Sequence, residues 1–196
     1  MTTIAIMGLG NPGSQYAGTR HNAGFWMMDQ IASLHGCLWK ESRRFHSLTT
    51  ILKKWERTAL LIKPLSFVNK SGSYIKPLLK YHGCKAEEMV VVYDDIAFEP
   101  GQMKISEEKG DGGHKGVRDI IRQIGPSFVR FRLGIGQKPE KMTMPAYVLS
   151  KFSCTEQAVM NDNFEFFAKV LQRIVDKGVT HAMNLSNKRI KSTDGQ

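Results

Sequence analysis

The chain has 196 residues, with 28 lysines and arginines against 18 acids and a formal charge of +10 at neutral pH. That length is about one domain, and an apolar content of 41% excludes collagen-like and disordered chains. No apolar run approaches the ~18 residues of a membrane span. The N-terminus lacks a basic region before its short apolar stretch, and three scattered cysteines form no disulfide framework, so a cytoplasmic protein without a membrane partner is expected.

Residues Thr3 to Gly8 read as a buried strand. Asn22 to Leu34 carries apolar residues at helical spacing and is closed by Gly36. Ser47–Leu52 and Thr58–Ile62 are aliphatic runs around Lys53–Arg57, which predicts a hairpin. Val68 to Tyr81 predicts a helix that Pro77 kinks or restarts. Met89–Tyr93 is a continuous β-branched run, the signature of a central strand buried on both faces, and it ends at Asp94-Asp95. A short strand is expected over Gln102–Ser106, a helix over Gly113–Ile124 and a strand over Phe128–Ile135. Ser153 and Glu156 form a capping box for a helix with Met160, Phe164, Phe167, Leu171 and Ile174 on one stripe, stopping at Gly178. Strands and helices alternate, which predicts a single α/β domain over residues 1–185. Its sheet is mixed, largely parallel and flanked by helices, with a C-terminal helix. Residues 186–196 read as a basic, frayed tail.

The charge is uneven. Between Ala86 and Asp111 eight acids face two bases, a local −6 that leaves +16 to the rest of the chain. A wide positive field around an acidic pocket suits a polyanionic partner such as nucleic acid, whose reacting end meets carboxylate-assisted chemistry. A lysine-rich surface that serves only solubility is the alternative.

Gly8-Leu9-Gly10-Asn11-Pro12-Gly13 matches a dinucleotide-binding fingerprint by its letters. No helical apolar stripe follows Gly13, and phosphate binding there requires a helix N-terminus directly behind the glycines. Besides a nucleotide-dependent oxidoreductase, which rests on those letters alone, two readings stand: a tight turn, or a loop presenting the Asn11 amide at the carboxyl edge of the sheet. Thr19-Arg20-His21-Asn22 follows, and the strand-end carboxylates Asp94 and Asp95 belong at the same edge. A carboxylate that accepts from one ring nitrogen leaves the other free to take a proton, so His21 is either a surface residue or a base. Asn69 lies near a helix start, and Gly110–Gly116 is a glycine-rich loop whose N–H groups suit an anion or a carbonyl.

The blocks Gly8–Gly13, Thr19–Gly24, Asn69–Gly72, Asp94-Asp95 with Pro100-Gly101, and Gly112–Gly116 occur in an order that resembles the bacterial peptidyl-tRNA hydrolase family, and Arg132–Gly136 extends the resemblance. The resemblance implies a metal-free, cofactor-free esterase, monomeric, that cleaves the ester between peptide and tRNA. It implies His21 as the base that activates water and Asp94 as the acid that orients it. Asn11 and Asn69 would hold the peptide and the ester end. Tyr16, Phe67, His114 and Lys115 would border the substrate, and Lys104, Lys109 and Arg132 would meet tRNA phosphates. The sequence departs from the family at Lys115, where an asparagine is usual, and at Ser106, where a lysine is familiar. Lysine has three donors and no acceptor, so it cannot copy an amide; it is expected to stabilise an oxyanion or a phosphate instead, or to point to solvent. A non-catalytic RNA-binding protein on the same fold is the rival reading. Two His-Gly-Cys triplets, at His35 and His82, fit no zinc spacing and read as helix stops. Tyr147 to Phe152 resembles the family's mobile rim over its cleft; a loop packed on the last helix is the alternative.

Overall fold

The computed structural model describes residues 3–107 and 110–193. Seven strands form one sheet: β1 (Ile4–Gly8), β2 (Lys40–Ser42), β3 (Ser47–Leu52), β4 (Ala59–Pro64), β5 (Val90–Asp95), β6 (Met103–Ser106) and β7 (Val129–Gly134). Their order is β2-β3-β4-β1-β5-β7-β6. The four central strands β4, β1, β5 and β7 run parallel, while β2, β3 and β6 pair antiparallel at the two sides. The helices are α1 (Ala23–Leu34), α2 (Ile75–His82), α3 (Lys115–Ile124), α4 (Met144–Val148), α5 (Cys154–Lys177) and α6 (Val179–Thr193). Among the described residues, no helix is long and apolar enough to cross a membrane.

Side-chain alternation along the strands divides the core between two layers. Ile4, Ile6, Val90 and Val92 pack with Met27, Met28 and Ile31 of α1 and Phe167 and Leu171 of α5. Ala5, Met7, Val91 and Tyr93 face the other way, onto Leu78 of α2 and Val117 and Ile120 of α3. The expected hairpin is present, with Leu52 opposite Ala59. The Val68–Tyr81 run breaks into a 3-10 turn at Val68–Lys70 and then α2, where Pro77 sits in the first turn and its missing N–H leaves no bond unmade. The Ser153–Glu156 capping box forms in both directions. Three elements add to those expected from the sequence: the three-residue edge strand β2, the short helix α4, and α6, which carries residues expected as a frayed tail on to Thr193.

The glycine loop carries no helix directly behind it. Ser14–Tyr16 is a 3-10 turn, and α1 begins only at Ala23. Gly8 and Gly24 serve packing instead. A Cβ on Gly24 would lie 2.3 Å from the Val92 carbonyl oxygen and 2.4 Å from the Leu9 nitrogen, and one on Gly8 would lie 2.4 Å from the Gly24 carbonyl oxygen. This close approach lets Leu9 N–H donate to Val92 O and Phe25 N–H donate to Leu9 O, stapling the start of α1 to the sheet edge. Gly24→Ala meets backbone that cannot yield. It should cost roughly 1–3 kcal/mol in urea unfolding, whereas Gly110→Ala, with nothing within 4 Å of its Cβ, should change stability little. Equal stability of the two variants would contradict the packing role.

Candidate active site

The carboxyl ends of β1 and β5 open into a cleft of about 590 Å³. Asn11, His21, Phe67, Asn69, Asp94, His114 and Lys115 all line it, so the structure brings seven of the sequence-nominated residues together. Tyr16 is not among the residues that line the cleft; its ring meets that of Phe67 edge-on, at 6.2 Å between centroids. Ile96, Met144, Val148 and Leu149 complete an apolar rim.

At the floor lies Asp94, only 4% exposed. One of its oxygens takes two imidazoles: His21 Nδ1 at 2.8 Å and His114 Nε2 at 3.0 Å. A carboxylate can only accept, so both nitrogens carry protons. His114 Nδ1, on the far side of its ring, accepts from the Val117 N–H at 3.2 Å. His114 thus caps α3 and is held as the neutral Nε2–H tautomer. His21 spends its Nδ1–H on Asp94, which leaves Nε2 as a bare lone pair. The two rings are 4.9 Å apart, and Tyr93 backs His114 at 5.0 Å.

Burial alone would raise the Asp94 carboxyl, but electrostatic attraction to His21 and His114 and the hydrogen bonds they donate hold it well below the usual carboxylate range. Burial alone would lower the His21 imidazole; the Asp94 carboxylate more than offsets this, and the Lys115 ammonium opposes it in turn. The net effect raises His21 above the ordinary imidazole value of 6.5. The nearest approach to a cation site among the described residues is this same trio, with one ligand atom from each of His21, Asp94 and His114 within 4.8 Å. Those atoms are engaged with one another as donor and acceptor, so a cation would have to displace two protons to use them.

The amides divide their labour. Asn11 Oδ1 accepts from the Val68 N–H at 2.9 Å, and its backbone is bonded in both directions to the Asn22 side chain. The N–H of Val68 dictates the amide's orientation, so Asn11 turns only Nδ2 to the cleft. Asn69 is exposed, in the middle of the 3-10 turn Val68–Lys70. The glycine-rich loop is also less open than expected: Asp111 takes the Gly113 N–H at 2.7 Å and binds Arg118.

The rim is fastened beside His21. Arg20 donates to Ile135 O at 2.8 Å and to Glu156 at 2.8 Å, and its guanidinium lies between the Tyr147 and Phe152 rings. The Tyr147 hydroxyl donates to the same Ile135 carbonyl. The Tyr147–Phe152 segment is therefore packed at its base while Val148 and Leu149 face the cleft.

Outside the cleft, Lys104 on β6 stands opposite Arg132 on β7. The Ser106 side chain is buried and shares that face. Lys109 lies outside the described residues. Asn22 and Asp95, which the sequence places beside His21 and Asp94 without a role of their own, bond to Asn11 and Arg132, partners set by the fold.

The peptidyl-tRNA hydrolase family model matches residues 5–194. The peptidyl-tRNA hydrolase of Acinetobacter baumannii is 36% identical over 182 residues, 93% of this chain and 94% of that protein. The peptidyl-tRNA hydrolase of Methylococcus capsulatus is 38% identical over 91% of this chain and 96% of its own length. The crystal structure of the Acinetobacter baumannii enzyme superimposes with a TM-score of 0.87 at 35% identity, covering 94% of both chains. With match and coverage of this extent, the chain belongs to the peptidyl-tRNA hydrolase family.

Proposed function

We propose that this enzyme hydrolyses the ester of peptidyl-tRNA with His21 Nε2 as the base. The observation that carries the reading is the bare Nε2, held by the Nδ1–H bond to a buried carboxylate at 2.8 Å. Water on Nε2 gives up a proton as its oxygen attacks the ester carbonyl. The imidazolium that forms is stabilised by Asp94. Collapse of the tetrahedral intermediate passes the proton to the leaving ribose oxygen and frees the peptide acid. Asn11 Nδ2 and Asn69 hold the peptide and the carbonyl, and the Asn11 amide, fixed by the Val68 N–H, does so as a pre-oriented donor. His114 fixes the second side of Asp94. The Lys115 ammonium faces the developing negative charge, a contribution that an asparagine would make only as a neutral dipole. Phe67 and Tyr16 border the peptide.

Lys104, Lys109 and Arg132 contact tRNA phosphates, which gives affinity without base reading and a steep salt dependence. The enzyme acts in the cytoplasm as a monomer, and its nucleophile is activated by histidine rather than by a metal. A protein that only bound RNA would have no need of a base with an oriented lone pair at the bottom of a cleft.

Release of an N-blocked aminoacyl group from tRNA tests the activity, with the unblocked aminoacyl-tRNA as control. Cleavage of the blocked substrate that persists in EDTA is expected; RNA binding without cleavage would favour the rival reading.

Two variants follow from the electrostatics. Asp94→Asn should lower kcat by roughly 10²–10⁴ because the tautomer is no longer enforced. It should also move the acidic limb of the pH–rate profile down, since the carboxylate that raises His21 is gone. In the wild type that limb should lie above pH 6.5, with activity lost as the pH falls and Nε2 is protonated. Lys115→Asn should move the limb further up, because the ammonium that opposes protonation of His21 is removed. A limb that moves in the same direction in both variants would contradict the assignment.

A further inference from the structure

Asp94 and Asp95 are consecutive on β5, so their side chains leave opposite faces of the sheet. Asp94 turns to His21. Asp95 turns to Arg132, whose Nε donates to Asp95 Oδ2 at 2.7 Å, with the two side chains 13% and 23% exposed respectively. The other Asp95 oxygen accepts from the Ala97 N–H at 2.8 Å, which locks the carboxylate to the turn after the strand. That turn presents Phe98. The Arg132 guanidinium lies 4.9 Å from the centre of the Phe98 ring, and Lys104 Nζ lies 5.9 Å from the same centre.

Nε is the one Arg132 side-chain nitrogen with a hydrogen bond among the described residues. The planar fork is thus held by its inner edge and by a ring face, and its outer Nη pair, beside the Lys104 ammonium, has no hydrogen bond among the described residues. A paired donor edge next to a point charge matches two oxygens of one phosphate.

We infer that Asp95 and Phe98 are positioning residues that aim Arg132, together with Lys104, at a phosphate of the tRNA. This rests on the reading of Lys104 and Arg132 as phosphate contacts. The same two adjacent carboxylates then fix both ends of the substrate: Asp94 the base at the ester, Asp95 the grip on the backbone.

Charge and position predict opposite signs for one variant. Asp95→Asn removes a negative charge beside the phosphate site, so electrostatics alone would tighten tRNA binding. If Asp95 acts by holding Arg132, binding weakens instead, because the fork must be ordered at the moment of contact. A rise in KM of about two- to tenfold is expected for peptidyl-tRNA, with a smaller change in kcat and a salt slope flatter by about one phosphate. Phe98→Leu alters no charge and should raise KM in the same direction. It carries the test should Asp95→Asn fail to fold. In an Arg132→Ala background, Asp95→Asn should add nothing.

A KM that falls or stays level in Asp95→Asn, while Arg132→Ala weakens binding and flattens the slope, would overturn the positioning role alone. An unchanged slope in Arg132→Ala would overturn the phosphate reading and this inference together.

Discussion

The structure depends on one buried carboxylate oxygen that accepts from two imidazoles. A charge at the depth of Asp94 is tolerated only when paired and hydrogen-bonded, and removal of one partner leaves the other stranded. The two donors come from chain positions 73 and 20 residues away, so the fold has to deliver both to one point. His21 arrives because Gly8 and Gly24 let the start of α1 press against the sheet. His114 arrives because it is the N-cap of α3 and is oriented from behind by the Val117 N–H. Each ring is thereby held in one tautomer, and the lone pair left over on His21 is a consequence of that arrangement. The chemistry follows from how the protein satisfies a buried charge.

Around this node the walls are tied by side chains that bond to backbone. Asn22 closes on both backbone groups of Asn11, and Asn11 in turn holds Val68, the residue before Asn69. Arg20 ties Ile135, Ser150 and Glu156 to the turn that carries His21. One wall is thus polar and rigid, and the other is an apolar rim of Ile96, Met144 and Leu149. Asp94 and Lys115 act on the His21 imidazole in opposite directions, the carboxylate raising its pKa and the ammonium lowering it. Lys115, the residue that departs from the family's pattern, bears on the protonation of His21.

Much of this was legible in the residues. Met89–Tyr93 could only be a doubly buried strand, and the capping box at Ser153 located α5 to the residue. The block order Gly8–Gly13, Thr19–Gly24, Asn69–Gly72, Asp94-Asp95 and Gly112–Gly116 collected the cleft residues before any geometry. The rest was hidden for physical reasons. Lys40-Glu41-Ser42 is too short and too polar to show strand alternation, and it forms β2 only because β3 offers an edge. The partnership of Asp95 with Arg132 needs β7 to lie beside β5, a non-local pairing that no local pattern encodes. Asn11 read as a substrate amide, but whether its oxygen is spent inside the protein depends on where Val68 falls.

The most direct test of the account is the protonation pattern of the two imidazoles, read from side-chain nitrogen resonances of the ¹⁵N-histidine-labelled protein above the titration of His21. His21 should show a proton on Nδ1 and a bare Nε2. His114 should show the reverse, with Nε2 protonated and Nδ1 accepting, and Asp94→Asn should release His21 to a mixture of tautomers. A wild-type His21 that already averages between tautomers, or that carries its proton on Nε2, would contradict the role given to Asp94 and with it the assignment of the base.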